Sequence, residues 1–213
     1  MGVVAVAREL GTGAAEIAQA VAHELHAELV DRRIIDEVAR RLRITPEEAE
    51  QTDESSGSFV EQVLRRIGAG SISFGVDDSW PWTAAYPGDE DLDMHRASLR
   101  VTQDVIKEAA RTRSAVIVGR GAAYLLKDDP RVVRVFLRAP VEARRAQLMK
   151  SFHLDSDTAA DRIRQSDANW GAFVRDAYGV EWRDPANYDL VLDTSRVGAE
   201  RAAGIIVAAA ADR

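Results

Sequence analysis

The sequence predicts an α/β fold in which a five-stranded parallel sheet carries helices on both faces. Short β-branched runs alternate with helical stretches five times along the chain, which is typical of parallel strands joined by crossover helices. The 213 residues, of which 46% are apolar, suffice to bury the core of one such domain. The predicted strands are residues 3–7, 27–31, 115–119, 132–137 and 189–194. The helices that follow them are predicted at residues 14–25, 34–42, 122–126, 141–152 and 199–211.

The predicted strands differ in polarity. The third, AVIVG, is almost wholly apolar and is expected near the centre of the sheet, where both faces are covered. The second, fourth and fifth strands include polar residues.

Two segments interrupt the alternation, so we expect a single domain, residues 1–213, with two insertions. The first insertion covers residues 46–112. Thr45, just before it, is expected to be a helix N-cap, with Pro46 at the first helical position. Helical spacing of apolar residues continues through residues 59–67. The second insertion, residues 155–185, is dense in arginine and aspartate.

The first insertion also contains a long loop rich in glycine, proline, aspartate and aromatic residues. Loops of this length in compact domains are usually functional or disordered. Trp80, Trp82 and Tyr86 in this loop could stack a base, seal a homodimer interface or only anchor the loop.

Composition excludes several classes of function. A formal charge of −7 argues against a sequence-independent grip on DNA or RNA, because such binding needs a basic face. The chain has no cysteine, which excludes disulfides, thiolate metal sites and cysteine nucleophiles. The start resembles no signal peptide, and the apolar C-terminal stretch is too short to span a bilayer. We therefore expect a cytoplasmic protein with no membrane partner.

Ligands of open α/β sheets bind beyond the carboxyl ends of the strands, so the residues there are the candidates. After the first strand, RELGTGAAEIA has the layout of a phosphate-binding loop that opens a helix. Arg8 stands at the first glycine position of that motif, and Ala14 stands where the lysine belongs. No serine or threonine follows Ala15 to hold Mg²⁺, and Glu16 is the nearest polar group. The alternative is a plain strand–helix turn that needs Gly11 and Gly13.

Other strand ends carry charged candidates. Asp31 follows the second strand, and Arg120 lies between two glycines after the third, where its guanidinium could fork onto a phosphate or sit in a surface turn. Arg196 follows the fifth strand in a stretch that could only cap the last helix. The arginines of the second insertion could fold over a phosphoryl group, or form an ion-paired helix in solvent. The four histidines show no metal-ligand spacing, so we assign no metal site in the protein alone.

Taken together, these pieces resemble the cytidylate kinase-like family of P-loop kinases over most of the chain. The resemblance rests on ARELGTGAAEIAQAVAHEL, LVDRRIID, AVIVGRGAAYLLKDDPRVVRVFLRAPVEARRAQLM and GVEWRDPANYDLVLDTSRVG. It implies a three-layer P-loop kinase-like fold with a five-stranded parallel sheet. The insertion at 46–112 would bind the phosphate acceptor, and the segment at 155–185 would be the lid.

The resemblance also implies roles for single residues. Backbone amides of Gly11, Thr12 and Gly13 would cradle the donor phosphates, and the nucleotide-binding stretch would extend over Ala14, Ala15 and Glu16. Arg120 would hold the acceptor phosphate, with Asp31 at the acceptor site. Arg162 and Asp167 would belong to the lid, and Arg196 would lie near the donor base. ATP and Mg²⁺ are the implied cofactors.

The chain departs from the family pattern at cationic positions. Ala14 and Ala15 replace the basic part of the phosphate loop, and Trp170 replaces an arginine of the lid. Loss of one charge-assisted contact to a transferring phosphoryl group raises the barrier by about 2–4 kcal/mol. Two hypotheses therefore stay open: an ATP-dependent phosphotransferase acting on a nucleoside monophosphate or another small phosphate acceptor, and a nucleotide-binding regulatory protein without catalysis on the same fold.

Overall fold

The centre of the fold is a fully parallel sheet of five strands in the order β2-β3-β1-β4-β5. The computed structural model describes residues 2–30, 92–112, 114–211 and 213, with only the helical backbone of residues 92–98. The strands are β1 (Val3–Arg8), β2 (Glu28–Val30), β3 (Ala115–Val118), β4 (Val132–Arg138) and β5 (Leu190–Asp193). The predicted α/β architecture with a five-stranded parallel sheet is confirmed.

The middle strand is β1, whereas the sequence pattern placed the third strand near the centre. β1 pairs with β3 from Val3 opposite Ala115, and with β4 from Val3 opposite Val132. β3 lies one place out, between β1 and β2. Both strands are apolar because both are buried on two faces, so their composition alone could not decide which is central.

The described helices connect the strands on both faces. They are α1 (Ala14–Glu24), α2 (Leu92–Thr112), α3 (Ala122–Leu125), α4 (Val141–Phe152), α5 (Ser156–Tyr178), α6 (Thr194–Val197) and α7 (Ala199–Ala211), with a 3₁₀ turn at Pro185–Asn187. Two predicted strands were one residue too long at their carboxyl ends. Gly119 leaves the strand with a φ of 72°, and Thr194 begins α6 because the Asp193 carboxylate caps it by accepting from the Ser195 backbone N–H.

Alternation along β1 divides the core into two layers. Val4 and Val6 face α1 and α7, where the buried side of α1 carries small and branched residues at helical spacing, from Ala14 to Ala22. Val3 and Ala5 face the opposite layer, which contains α3 and part of α5. The sheet is therefore covered on both sides, as a parallel sheet requires.

Most of the second insertion is one helix. Asp155 caps α5 by accepting from the Thr158 backbone N–H at 2.9 Å, and Gly179 ends the helix with a φ of 69°. The buried side of α5 includes Ile163, which packs with Leu10 and Leu148, and Trp170 and Val174, which belong to the layer on the sheet. The composition of the segment indicated its charges but not this continuous apolar side.

An aromatic cluster joins the end of α5 to the sheet. Phe136 of β4 stacks on Tyr188 with ring centroids 5.0 Å apart, and its edge meets Trp182. The hydroxyls of Tyr124 and Tyr188 hydrogen-bond to each other, and Tyr188 donates to the Trp182 carbonyl at 2.5 Å. Each buried hydroxyl therefore has a partner, as burial of polar groups demands.

Several predicted features lie outside the described residues: Asp31, the helix at 34–42, the Thr45 cap, the helical spacing at 59–67 and the aromatic loop with Trp80, Trp82 and Tyr86. Within the described part of the chain, none of the helices has the length and apolar character to span a membrane.

Burial of Tyr124 should make the free energy of unfolding depend on pH in the alkaline range. Burial raises the pKa of its hydroxyl to about 12. An unfolded tyrosine titrates at about pH 10. The contribution of the buried, protonated hydroxyl to the free energy of unfolding is therefore complete below that pH and is lost as the pH rises towards 12. In urea denaturation over this range, the free energy of unfolding should fall more steeply for the wild type than for Tyr124→Phe. Parallel losses in the two proteins would contradict this.

Candidate functional site

The turn between β1 and α1 has the shape of an anion-binding loop. Gly11 and Gly13 adopt left-handed φ angles of 85° and 70°, and the Thr12 hydroxyl donates to the Glu9 carbonyl at 2.8 Å. α1 then begins at Ala14, and no side chain caps it. The first-turn amides of a helix lack intrahelical partners and lie at the positive end of its dipole, which suits a phosphate.

The inner half of this loop is packed tightly against α4. A β-carbon on Gly11 would lie 2.7 Å from the backbone oxygen of Arg144, a distance that side-chain carbons do not tolerate. Leu10 is buried in a small apolar cluster with Leu148, Ala159 and Ile163, which belong to α4 and α5. In contrast, a β-carbon on Gly13 would meet no atom of the described residues within 4 Å. The loop therefore has a packed side at Leu10 and Gly11 and an open side at Gly13.

Four charged side chains form a network beneath the loop. The Arg144 guanidinium, only 1% exposed, donates to both oxygens of Asp167 at 2.9 and 2.8 Å, and its Nε lies 3.6 Å from a Glu9 oxygen. Arg183 bridges the same two acids, at 2.7 Å from each. Glu9 also accepts from the Ala139 backbone N–H at 3.1 Å. The two carboxylates and two guanidinium groups balance in charge.

The carboxylates of this network favour the charged form of the Arg183 guanidinium. Burial by itself would lower the pKa of the Arg183 guanidinium, but the Asp167 and Glu9 carboxylates outweigh burial and raise it. Asp167, which the resemblance assigns to the lid, has its carboxylate held by two guanidinium groups. Its role in catalysis stays a prediction, while its structural role is to tie α5 to α4 and to Arg183.

The turn after β3 stands beside the loop. The Gly119 N–H donates to the Val6 carbonyl at 2.8 Å, which places the turn next to the carboxyl end of β1. Gly119, Arg120 and Gly121 all have positive φ angles, of 72°, 51° and 73°. Arg120 is 2% exposed, and its carbonyl accepts from the Tyr178 hydroxyl at 3.5 Å. Left-handed backbone at a non-glycine residue is strained, and such strain concentrates at functional sites.

A narrow crevice opens where the loop, the turn and α5 meet. Its volume of about 10 Å³ has room for about one water molecule. Trp170 closes one side, stacked on Phe173 with centroids 5.1 Å apart. The lining residues are Arg8, Leu10, Gly119, Ser166, Asp167, Trp170 and Trp182.

The remaining predicted cations differ in their surroundings. Arg162 is half-buried on α5, and burial lowers the pKa of its guanidinium. It forms no hydrogen bond or ion pair with the described residues, and it lies one helical turn from Ser166 on the same face as the crevice. Arg164 instead pairs with Asp161 in solvent. Arg196 is exposed on α6, which follows the edge strand β5. The spacing between strands places β5 about 10 Å from β1.

The structure thus gathers Arg8, Gly11, Thr12, Gly13 and the Arg120 turn at one edge of the sheet. Ala14, Ala15 and Glu16 form the first turn of α1 beside them. Among the described residues, no group of three or more histidine or acidic side chains gathers in the manner of metal ligands.

Sequence reasoning missed Glu9, Arg144 and Trp182. A charged residue between a buried strand and two glycines was a signal for Glu9, because a buried acid requires partners. Arg144 gave no such signal, since its partners lie 23 and 135 positions away along the chain.

A pair of glycine variants tests the packed side of the loop. Gly11 and Gly198 have similar φ angles, 85° and 80°, but only Gly11 lies against backbone atoms. Gly198→Ala should cost about 1–3 kcal/mol of unfolding free energy from the backbone alone, because a φ of 80° with a ψ of 156° is a conformation that only glycine adopts readily. Gly11→Ala should cost clearly more, since the Arg144 backbone cannot move aside. Equal losses in chemical denaturation would refute the close packing.

A pair of aspartate variants tests the buried network. Asp167 and Asp161 both lie on α5 and both pair with arginines, but Asp161 and its partner Arg164 are 66% and 72% exposed. Asp167→Asn should lower the free energy of unfolding by about 3–5 kcal/mol, because it leaves a buried guanidinium without its charge partner. Asp161→Asn should cost less than about 1 kcal/mol. Denaturation curves that rank the two variants the other way would argue against the network.

The cytidylate kinase of Methanopyrus kandleri is 31% identical over 111 residues, and that of Methanocaldococcus jannaschii is 29% identical over 107. Each alignment covers 48% of this chain and 58% of the relative, so the chain spans a little over half the length of these curated kinases.

Solved structures share the fold. An uncharacterized protein from Eubacterium ventriosum superposes with a TM-score of 0.68 at 19% identity, covering all of both chains. The shikimate kinase of Acinetobacter baumannii in complex with shikimate superposes with a TM-score of 0.52 at 14% identity, covering 100% of this chain and 94% of that one. The profile of the Cytidylate kinase-like family matches residues 3–196, and the chain belongs to that family.

Proposed function

We propose that this protein is an ATP-dependent phosphotransferase of the nucleotide kinase type, acting on a nucleoside monophosphate or another small phosphate acceptor. The observation that carries the proposal is the loop between β1 and α1, whose open side combines Gly13 with an uncapped helix start. Membership of the cytidylate kinase-like family supports the same reaction class. The acceptor-binding part would be residues 46–112 and the lid residues 155–185.

We expect the main chain of this loop, rather than its side chains, to bind the phosphates of the donor nucleotide. Backbone amides from Gly11 to Glu16 would surround the phosphates, and bound ATP would supply the transferable phosphoryl group. The loop itself carries no lysine, so cations must come from elsewhere. Arg8 at the end of β1, Arg120 in the turn after β3 and Arg162 on α5 are the candidates. Catalysis of this kind consists mainly of positioning and charge neutralisation.

Arg162 is the best candidate for a cation that a phosphate recruits. Its guanidinium is partly desolvated, and no described acid neutralises it. The other arginines of the same segment are engaged: Arg164 with Asp161, Arg175 with Glu181, and Arg183 with Glu9 and Asp167. An anion beside Arg162 would compensate a cost of burial that the protein leaves unbalanced.

Mg²⁺ would arrive with the nucleotide. The carboxylates of Glu9 and Asp167 adjoin the loop, but both are paired with guanidinium groups, so they do not fit a metal ion. Mg²⁺ would therefore be held mainly by the phosphates and by water, of which it usually keeps several, and the exposed Glu16 in the first turn of α1 is the remaining acid beside the loop. Asp31 and Arg196 stay candidates for the acceptor and the donor base, respectively.

A second candidate function is nucleotide binding without catalysis. The crevice of about 10 Å³ between the loop and α5 favours it, because Trp170 and Trp182 leave no room there for a phosphoryl group. Turnover on this site would require α5 or these indoles to move when substrates bind. A sensor would need only the open side of the loop.

The role of Arg162 can be tested against its neighbour on the same helix. Arg162→Ala should weaken ATP binding by about 10- to 100-fold, the value of a charge-assisted contact, in isothermal calorimetry. Arg164→Ala removes an arginine two residues away whose partner is Asp161, and it should leave the affinity unchanged. Equal effects of the two variants would remove Arg162 from the site.

Turnover then separates the two functions. A coupled assay with Mg²⁺–ATP and a panel of nucleoside monophosphates should detect ADP release that depends on the acceptor and falls in Arg162→Ala. ATP binding without release of ADP on any acceptor would favour the binding protein. If ATP neither binds nor raises the melting temperature, both functions fail.

A further inference from the structure

We propose that Arg144 is a positioning residue: it sets the shape of the phosphate loop and locks that shape to α5. The effect that we expect on ATP affinity rests on the proposed function, whereas the effect on the geometry of the loop does not. Arg144 lies on α4, outside the loop, and no polar atom of its side chain reaches solvent, at 1% exposure.

Three consecutive loop residues are held by this one arginine. The Nε faces the Glu9 carboxylate at 3.6 Å, one terminal nitrogen reaches the Leu10 carbonyl at 3.5 Å, and the backbone of Arg144 presses against Gly11. These contacts fix the half of the loop that precedes Thr12. The direction of the amides that follow Thr12 depends on this half, because Thr12 folds back onto the Glu9 carbonyl.

The other edge of the same guanidinium holds α5. Two parallel hydrogen bonds join it to Asp167, at 2.9 and 2.8 Å. Only a planar fork can serve Glu9 and Asp167 on different edges at once. A lysine keeps the charge but is a single compact ammonium, so it could satisfy one acid and would leave the other with Arg183 alone. Arg144 therefore connects the loop to α5, beside Arg183, which bridges the same two acids, and beside the packing of Leu10 on Ile163, and a shift of α5 is transmitted to the phosphate loop through these contacts.

The first test measures the loop without any nucleotide. Hydrogen exchange of the full-length protein is followed in peptides covering residues 9–16 and, as an internal reference, residues 115–118 of β3. In Arg144→Lys the loop amides should exchange about tenfold faster than in the wild type while the β3 amides keep their rate. Arg145→Lys, the neighbour on α4, should match the wild type in both peptides. Unchanged loop exchange, or equal acceleration in loop and β3, would overturn the proposal.

A second variant covers the case in which Arg144→Lys does not fold. Glu9→Gln leaves the Arg144–Asp167 pair intact and removes the carboxylate charge that Arg144 and Arg183 share at the loop. It should loosen residues 9–16 selectively as well, by about the same factor. Wild-type exchange in that variant would overturn the proposal too.

The second test measures affinity for ATP at a temperature where each variant is folded. Arg144→Lys should raise the Kd by about tenfold, since a loosened loop must be ordered again on binding. A Kd equal to the wild-type value, with a loosened loop, would refute positioning of the anion site. If the wild type itself does not bind ATP, the proposed function fails, and the exchange experiment still decides whether Arg144 shapes the loop.

Discussion

The candidate site depends on one buried side chain, Arg144, and on the two acids that neutralise it. Placing a guanidinium at 1% exposure is unfavourable unless its charge is neutralised. Asp167 and Glu9 meet that demand from α5 and from the loop after β1, so the same electrostatic requirement brings three separate parts of the chain together. Removing either acid weakens the neutralisation of a buried charge, so the contact between the loop, α4 and α5 depends on both.

This arrangement also limits what the site can do chemically. The Glu9 and Asp167 carboxylates beside the loop are paired with arginines, which leaves them unsuited to hold a metal or to accept a proton. Positive charge for a bound phosphate would therefore come from arginines at the rim, of which Arg162 is half-buried with no acid beside it among the described residues. Trp170 and Trp182 line the crevice and leave room for about one water molecule. Whether the protein acts as a kinase or only binds a nucleotide depends on whether these indoles move.

The strained turn at Arg120 fits the same scheme. Three successive positive φ angles direct the chain back along the edge of the sheet, and the Tyr178 hydroxyl supports the turn from the end of α5. Both turns that frame the crevice are thus held by α5, one through Asp167 and the other through Tyr178. A displacement of this helix would alter both turns together, which is a physical basis for coupling between them.

The sequence by itself determined the class of fold and the edge of the sheet where the candidate residues meet. Short β-branched apolar runs and helical spacing are local signals, and glycines mark the turns that need left-handed backbone, so the loop at Gly11 and Gly13 could be found without coordinates. Only the tertiary structure decided that β1 is the central strand, that the charged second insertion is mostly one continuous helix, and that Asp167 is committed to Arg144 and Arg183. These facts depend on contacts between residues distant in the chain, and the energy of a charged side chain is set by partners that spacing alone does not reveal.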